Sequence, residues 1–210
     1  MNGYRVTFAG RAFIALASGA LFCPATSALI LADLHLGKSE RMARRGGALL
    51  PPFETCDTLI RLSGAIQETN ARQIFLLGDV FDDDLARKTL DAADQALWQN
   101  ILASRPVTIL AGNHDPDSQV EAMLGDITLR HIAGAGPDIS GHYHPKAGLN
   151  TVTRPAFLIG KTHLILPAFG TFTGGLRASD PVLTDLVGQG IAILTGPRPI
   201  AIPYGQTVAQ

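Results

Sequence analysis

Cysteine is scarce in this chain. Cys23 and Cys56 are the only two in 210 residues, and they stand in unlike surroundings. A disulfide framework needs more, and the Cys-x-x-Cys or Cys/His spacing of a zinc or redox site is missing, so two reduced, buried thiols in a cytoplasmic protein are expected. An excess of charge of either sign is also missing. With 17 Lys and Arg against 18 Asp and Glu, the net charge is −1. No global field draws the chain to nucleic acid or to an anionic surface, and any such contact has to rest on a local patch or on metal ions. Long apolar runs are absent as well. The longest, such as Ala28 to Ala32, fall far below the roughly 18 residues of a spanning helix, so no membrane partner is expected.

What is present is the composition of a globular enzyme, 46% hydrophobic and 17% charged with 22 Gly and 13 Pro, long enough for one sizeable domain over residues 1–210. Arg11 to Ala28 loosely resembles a signal peptide. However, Ser18-Gly19 interrupts its apolar stretch as a turn would, and Arg5 to Phe8 alternates as a strand does, so a hairpin at a sheet edge is expected. In the middle of the chain, apolar strand-like runs alternate with helical stretches, the pattern of a parallel sheet with crossover helices. The runs are Ala28 to Ala32, Gln73 to Leu77, Val107 to Ala111, Ile127 to Leu129 and a short one around Ile139. Between them, Glu54 to Thr69 places Leu59, Leu62 and Ile66 at helical spacing, and Leu85 to Ser104 does so with Leu90, Ala93, Leu97 and Ile101. From Thr151 onward the segments shorten and are broken by Gly and Pro: Ala156 to Ile159, His163 to Leu166, Ile191 to Leu194 and Ile200 to Pro203. A second, mostly antiparallel sheet is expected there, with an edge strand near Gly196-Pro197-Arg198-Pro199.

Polar clusters follow the apolar runs, at the strand ends where open α/β sheets bind ligands. They are Asp33-Leu34-His35, Gly78-Asp79-Val80-Phe81-Asp82, Gly112-Asn113-His114-Asp115, His131, and Gly141-His142-Tyr143-His144. Any one of them reads equally well as a cap, a turn or a packed histidine. Together they put mixed imidazole and oxygen donors on one edge, a set that suits manganese, iron or zinc. If Asp-x-His continues its strand, the period of two turns Asp33 and His35 the same way, and His142 and His144 likewise.

In this order the clusters resemble the signature of the calcineurin-like metallophosphoesterase superfamily, which reads Asp-x-His, Gly-Asp-x-x-Asp, Gly-Asn-His-Asp/Glu, a lone His, and Gly-His-x-His. The likeness covers residues 28 to 145. It implies an α/β fold of two facing β-sheets flanked by helices, and two divalent metal ions, manganese first and iron or zinc as alternatives. It further implies that Asp33, His35, Asp79 and His144 hold one ion, that Asp79, Asn113, His131 and His142 hold the other, and that Asp79 bridges them. His163 is the alternative to His131, which is preferred because it ends a strand and precedes Gly-His-x-His. The resemblance gives His114 the part of general acid toward the leaving oxygen, with Asp82 orienting it.

Asp-Leu-His-Leu-Gly-Lys at 33 to 38, Leu-Pro-Ala-Phe-Gly at 166 to 170 and Thr-Gly-Gly at 173 to 175 resemble a bacterial group of ligase-associated DNA-damage-response endonucleases. The group implies a phosphodiester substrate, DNA or RNA, and a functional link to a DNA ligase and helicase. Asp82 departs from the His common in that group. Lys38, Arg41, Arg44 and Arg45 follow the first metal motif, where a phosphate backbone can run, although a solvated helix face explains them too and no aromatic residue interleaves to stack a base. Hydrolysis of a small phosphorylated metabolite or of a nucleotide or lipid pyrophosphate is the alternative activity. A scaffold that has lost its metals is the alternative outside enzymes.

Overall fold

The computed structural model describes residues 1–47, 49–113, 118–149 and 151–205. The chain opens on the expected hairpin, β1 (Gly3–Phe8) and β2 (Arg11–Leu16), turned by Ala9 and Gly10 at φ 45° and 74°. Positive φ at both turn residues is what matches a two-residue turn to the twist of its strands. Next come β3 (Leu21–Cys23) and β4 (Ala28–Leu31), then α1 (Lys38–Arg44), α2 (Glu54–Thr69) and β5 (Gln73–Leu76). The short α3 (Ala86–Thr89) and α4 (Ala92–Ser104) lead into β6 (Val107–Ile109). These six strands form one sheet in chain order, antiparallel from β1 to β4 and parallel from β4 to β6.

The second sheet contains β7 (Glu121–Leu124), β8 (Ile127–Arg130), β9 (Asp138–Ser140), β10 (Lys146–Leu149), β11 (Val152–Ile159), β12 (His163–Ile165), β13 (Gly190–Leu194) and β14 (Ile200–Tyr204). Its order is β14-β13-β11-β12-β9-β8-β7, with β10 on the first half of β11. The β8–β9 and β9–β12 pairs are parallel and the other described pairs antiparallel, and β14 lies at the expected edge. α5 (Pro181–Val187) covers its outer face.

The sheets face each other across one apolar core in which Phe13, Ile30 and Leu77 of the first meet Leu129, Phe157 and Leu164 of the second. On the outer face of the first sheet, Leu59, Leu62 and Ile66 of α2 pack on Leu29, Leu31 and Leu76, the helical face expected from their spacing. Full burial of each such side chain contributes about 1.5–3 kcal/mol.

Two expectations change. The five apolar runs do not share a sheet: three become β4, β5 and β6, and the last two become β8 and β9 of the second sheet. Both sheets are covered on two faces, so a buried strand of either reads as the same apolar run. The helix expected over Leu85 to Ser104 is interrupted, because Leu90 is extended (ψ 140°) and Asp91 starts a new helix by accepting from the Asp94 amide at 2.9 Å. Ile101 of the expected row is buried and Leu90 and Leu97 are half-buried on the same core, while Ala93 is exposed and α4 also buries Asp94 and Trp98, whose ring meets Phe81 edge-on at 5.8 Å.

Candidate metal centre

Past Leu31 and Leu76 the two central strands cease, yet their backbones stay paired. Asp33 N donates to Gly78 O at 3.2 Å, His35 N to Asp79 O at 3.0 Å, Leu36 N to Val80 O at 2.9 Å and Asp82 N to Leu36 O at 3.0 Å. Asp33, His35 and Asp79 sit at φ 57°, 47° and 49°, and across the edge His142 and His144 sit at 69° and 47°. The expected strand geometry of Asp-x-His is therefore wrong. Asp33 and His35 point to one place because each adopts the left-handed conformation, at a strain of roughly 1 kcal/mol or more apiece, not because they alternate along a strand.

Glycine lets these loops close on one another. A Cβ on Gly78 (φ 81°) would run into the His131 ring and the Gly112 backbone, and one on Gly141 into Ala32 and the Asp33 carboxylate. The loops of the two sheets thus meet closely, Gly78 against the His131 ring and Gly141 against Asp33, and donors spread from Asp33 to His144 converge.

Asp33 is fully buried (0% exposed). Its Oδ2 accepts from the His142 amide at 2.9 Å, while the buried Oδ1, 3.3 Å from His144 Nε2, has no hydrogen-bond partner among the described residues. Burial works to raise the Asp33 pKa, but the imidazole of His144 at 3.3 Å, with those of His131 and His35 nearby, outweighs it and holds it below the ordinary carboxylate value. His35 Nδ1 faces Asp82 Oδ1 at 2.9 Å and so carries the proton, leaving the Nε2 lone pair 3.4 Å from His144 Nε2. His131 Nδ1 donates to the Leu77 carbonyl at 2.7 Å, so its Nε2 is the nitrogen left over. That Nε2 lies 3.5 Å from Asp79 Oδ2 and 3.2 Å from His142 Nδ1, and Asn113 Nδ2 approaches the same His142 nitrogen at 3.2 Å. Burial, reinforced by the neighbouring His131, lowers the His142 pKa, which favours the neutral, donating imidazole.

Among the described residues, the groups with donor atoms close enough for one ion are Asp33, His35 and His144, and Asp33, Asp79 and His131. The proton on His131 Nδ1 turns that ring's donor toward Asp79 and His142. The two groups share Asp33, and His142 and Asn113 lie beside the second, with His142 Nδ1 3.2 Å from both His131 Nε2 and Asn113 Nδ2. A buried carboxylate oxygen facing aligned imidazole lone pairs is an arrangement that a cation resolves, so the residues fit divalent metals.

The structure brings His131 into this cluster, whereas His163 lies apart with Nδ1 2.8 Å from Asp138 Oδ1. Asp82 is buried at its edge, one carboxylate oxygen on His35 and the other on Arg41. Burial alone would raise its pKa, but the hydrogen bonds from His35 and Arg41 keep it low. His114 and Asp115 lie outside the described residues, and with them the expected pairing of Asp82 to His114.

The basic cluster is not a free cationic stripe. Arg41 is committed to Asp82, and Arg44 pairs with Asp83 at 2.8 Å and Glu40 at 2.9 Å. The Leu77 carbonyl, which fixes the His131 tautomer, and Arg41, which holds Asp82, are the two contributors not anticipated from sequence. No sequence signal marks the first, because a main-chain carbonyl has no residue identity. The second is spaced 41 residues from its partner.

Residues 26–175 match the family described as Calcineurin-like phosphoesterase. Among solved structures, nuclease MPE of Pseudomonas putida is 29% identical, with a TM-score of 0.74, over 95% of this chain and 100% of that one. The E. coli phosphoesterase YfcE is 15% identical with a TM-score of 0.44, over 84% of this chain and 98% of that one. Comparison with curated proteins returns no match.

Proposed function

We propose that this chain, which belongs to the calcineurin-like phosphoesterase family and is a metal-dependent phosphoesterase, cleaves phosphodiester bonds of nucleic acid. The observation that carries the reading is the convergence of the buried Asp33 Oδ1 with His35, His144 and the Asp79–His131–His142 group. A centre of two cations supplies Lewis-acid activation of a phosphate ester and a water made acidic enough to act near neutral pH. In this assignment Asp33, His35, Asp79 and His144 hold one ion, Asp79, Asn113, His131 and His142 the other, and Asp79 is shared. Manganese is favoured by the mixture of imidazole and oxygen donors. His114 donates a proton to the departing oxygen. Asp82 is a positioning residue: it fixes the His35 tautomer, the usual carboxylate support of a metal-binding imidazole.

The diester and nuclease part is supported by the likeness to nuclease MPE over the whole of that chain. A role in DNA repair beside a ligase and helicase belongs to the same reading, and the free thiols Cys23 and Cys56 are consistent with a reducing cytoplasm. The deciding assay compares, with manganese, single-stranded DNA, duplex DNA, RNA, a small aryl diester, a monoester and a nucleotide pyrophosphate. Cleavage of nucleic acid with diester preferred over monoester is expected. Turnover of the monoester or pyrophosphate with nucleic acids untouched would replace the nuclease reading by the small-metabolite one. Replacement His114→Ala should reduce turnover about 10²- to 10⁴-fold on poor leaving groups, and much less on a nitrophenyl ester that needs no protonation.

A further inference from the structure

We propose that Phe53 and Phe172 form a stacking platform for an unpaired nucleobase of the strand whose backbone lies at the metal centre, an inference that rests on the nuclease reading above. The two rings come from distant parts of the chain and meet with centroids 6.0 Å apart at 59°. Both remain substantially open to solvent, Phe53 at 56% and Phe172 at 43%. A pair that served packing alone would turn its faces inward. Phe172 is moreover at φ 59°, a conformation that a bulky residue adopts only under constraint from its surroundings. The ring nevertheless stays open to solvent on this strained turn.

Hydrogen bonds and close contacts tie the segments that carry both rings to the loops of the centre. The segment carrying Phe172 starts with Phe169 N on Ala32 O and Gly170 N on Asp33 O, both at 2.9 Å. It ends with Gly175 packed so closely on the His144 backbone that a Cβ would overlap the His144 carbonyl, and with Leu176 N donating to Tyr143 O at 3.2 Å. Phe172 is thus within three residues of contacts to both metal-motif loops. Phe53 is the N-cap of α2, whose first turn is tied to the His35 loop by Gly37 N donating to Thr55 Oγ1 at 2.8 Å and Ser39 Oγ donating to Glu54 Oε2 at 2.6 Å. Thr171 N donates to Thr58 Oγ1 at 3.1 Å and locks the two carriers together. A phosphodiester at the metals therefore has an aromatic surface beside it. Bases of a duplex are occupied by their own stack and pairing, so the surface suits nucleotides that are already unpaired.

The test is equilibrium binding of non-cleavable phosphorothioate single strands of equal length, one carrying bases and one abasic throughout. The unmodified chain should prefer the base-bearing strand by about 10-fold or more, the scale of base–aromatic stacking. Phe53→Leu and Phe172→Gly, the latter suited to the left-handed backbone, should each reduce that preference, and Phe53→Leu with Phe172→Leu should bring it near 1. Tyrosine at both positions should restore it. In Phe53→Trp, emission should be quenched by the base-bearing strand and not by the abasic one, against a background from Trp98, which is only 5% exposed. Equal affinity of the unmodified chain for both strands, or a preference unchanged by the leucine pair, overturns the platform. Turnover of a small aryl diester by the unmodified chain reports on the diesterase reading separately, since that substrate has no base to stack.

Discussion

His35 and His131 are buried imidazoles whose Nε2 atoms face His144 and Asp79 respectively, yet they are held by different means. His35 is steered by a side chain, Asp82, which Arg41 holds in turn. His131 is steered by a main-chain carbonyl, that of Leu77, at 2.7 Å. A carboxylate support adds negative charge, can be removed by substitution and titrates. A carbonyl support is set by the fold and survives any change of side chain. The His35 side of the centre should therefore be tunable and acid-sensitive, and the His131 side should fail only when the sheet itself fails.

The largest expected effect falls on the residue assigned to both ions. Asp79→Asn should lower turnover by at least about 10²- to 10³-fold, the scale of losing one pre-organised charge interaction, and reduce metal content with the circular dichroism unchanged. Full activity with two metals retained would remove the shared assignment. Next, Asp82→Ala should weaken metal binding about 10- to 100-fold through misorientation of His35. Its counterpart, Leu77→Ala, should destabilise the core by about 2–5 kcal/mol while metal affinity in the folded protein changes little. Equal losses of affinity in the two variants would erase the contrast.

The Asp82 effect carries a pH signature. Its folded pKa is depressed, so the stability it contributes is present above the ordinary carboxylate value and disappears as pH falls through the folded value. Denaturation midpoints of the parent and of Asp82→Ala should accordingly differ at neutral pH and converge in acid below about pH 4. Arg41→Ala should be milder in metal affinity than Asp82→Ala and cost about 1–3 kcal/mol, because it leaves a buried carboxylate short of one partner. It should barely alter the salt dependence of nucleic-acid binding, because its charge is already neutralised inside the protein. A slope reduced by about one would return Arg41 to the phosphate-contacting role first read from the sequence.

The smallest effect is expected away from the centre. Burial, with Asp91 beside it, raises the Asp94 pKa, opposed by a hydrogen bond from Cys56. A raised carboxylate favours the folded state at low pH and loses that advantage as pH rises through its folded value. Asp94→Asn should therefore stabilise the protein by about 1 kcal/mol or less at neutral pH, with the gain fading in acid.

What could be read from residues alone follows the reach of each signal. α2 was legible to its ends because its amphipathic spacing is local, and the strands from β11 to β14 because Gly and Pro punctuate them. The order of the metal motifs was legible because the residue types that bind cations are few. Sheet membership was not, since β8 and β9 are as apolar as β4 and β5 while pairing elsewhere. Nor were β3, β7 and β10, three or four residues each, too short to show a period. The left-handed backbone of five centre residues is invisible to side-chain periodicity, and the basic cluster misled because Asp82, Asp83 and Glu40 pair with Arg41 and Arg44 only after folding.

The close seam at Gly78 and Gly141 also orders events in time. His35 and His144 are 109 residues apart in sequence, and their approach requires that both sheets already be docked. Loop-closure entropy makes such a contact late in a folding reaction. The metal centre should be assembled after the transition state, with interactions near it absent from the nucleus. Side-chain changes at the seam should then accelerate unfolding and leave the folding arm of the chevron nearly unmoved, so that cations bound there would lengthen the lifetime of the native state rather than hasten its formation.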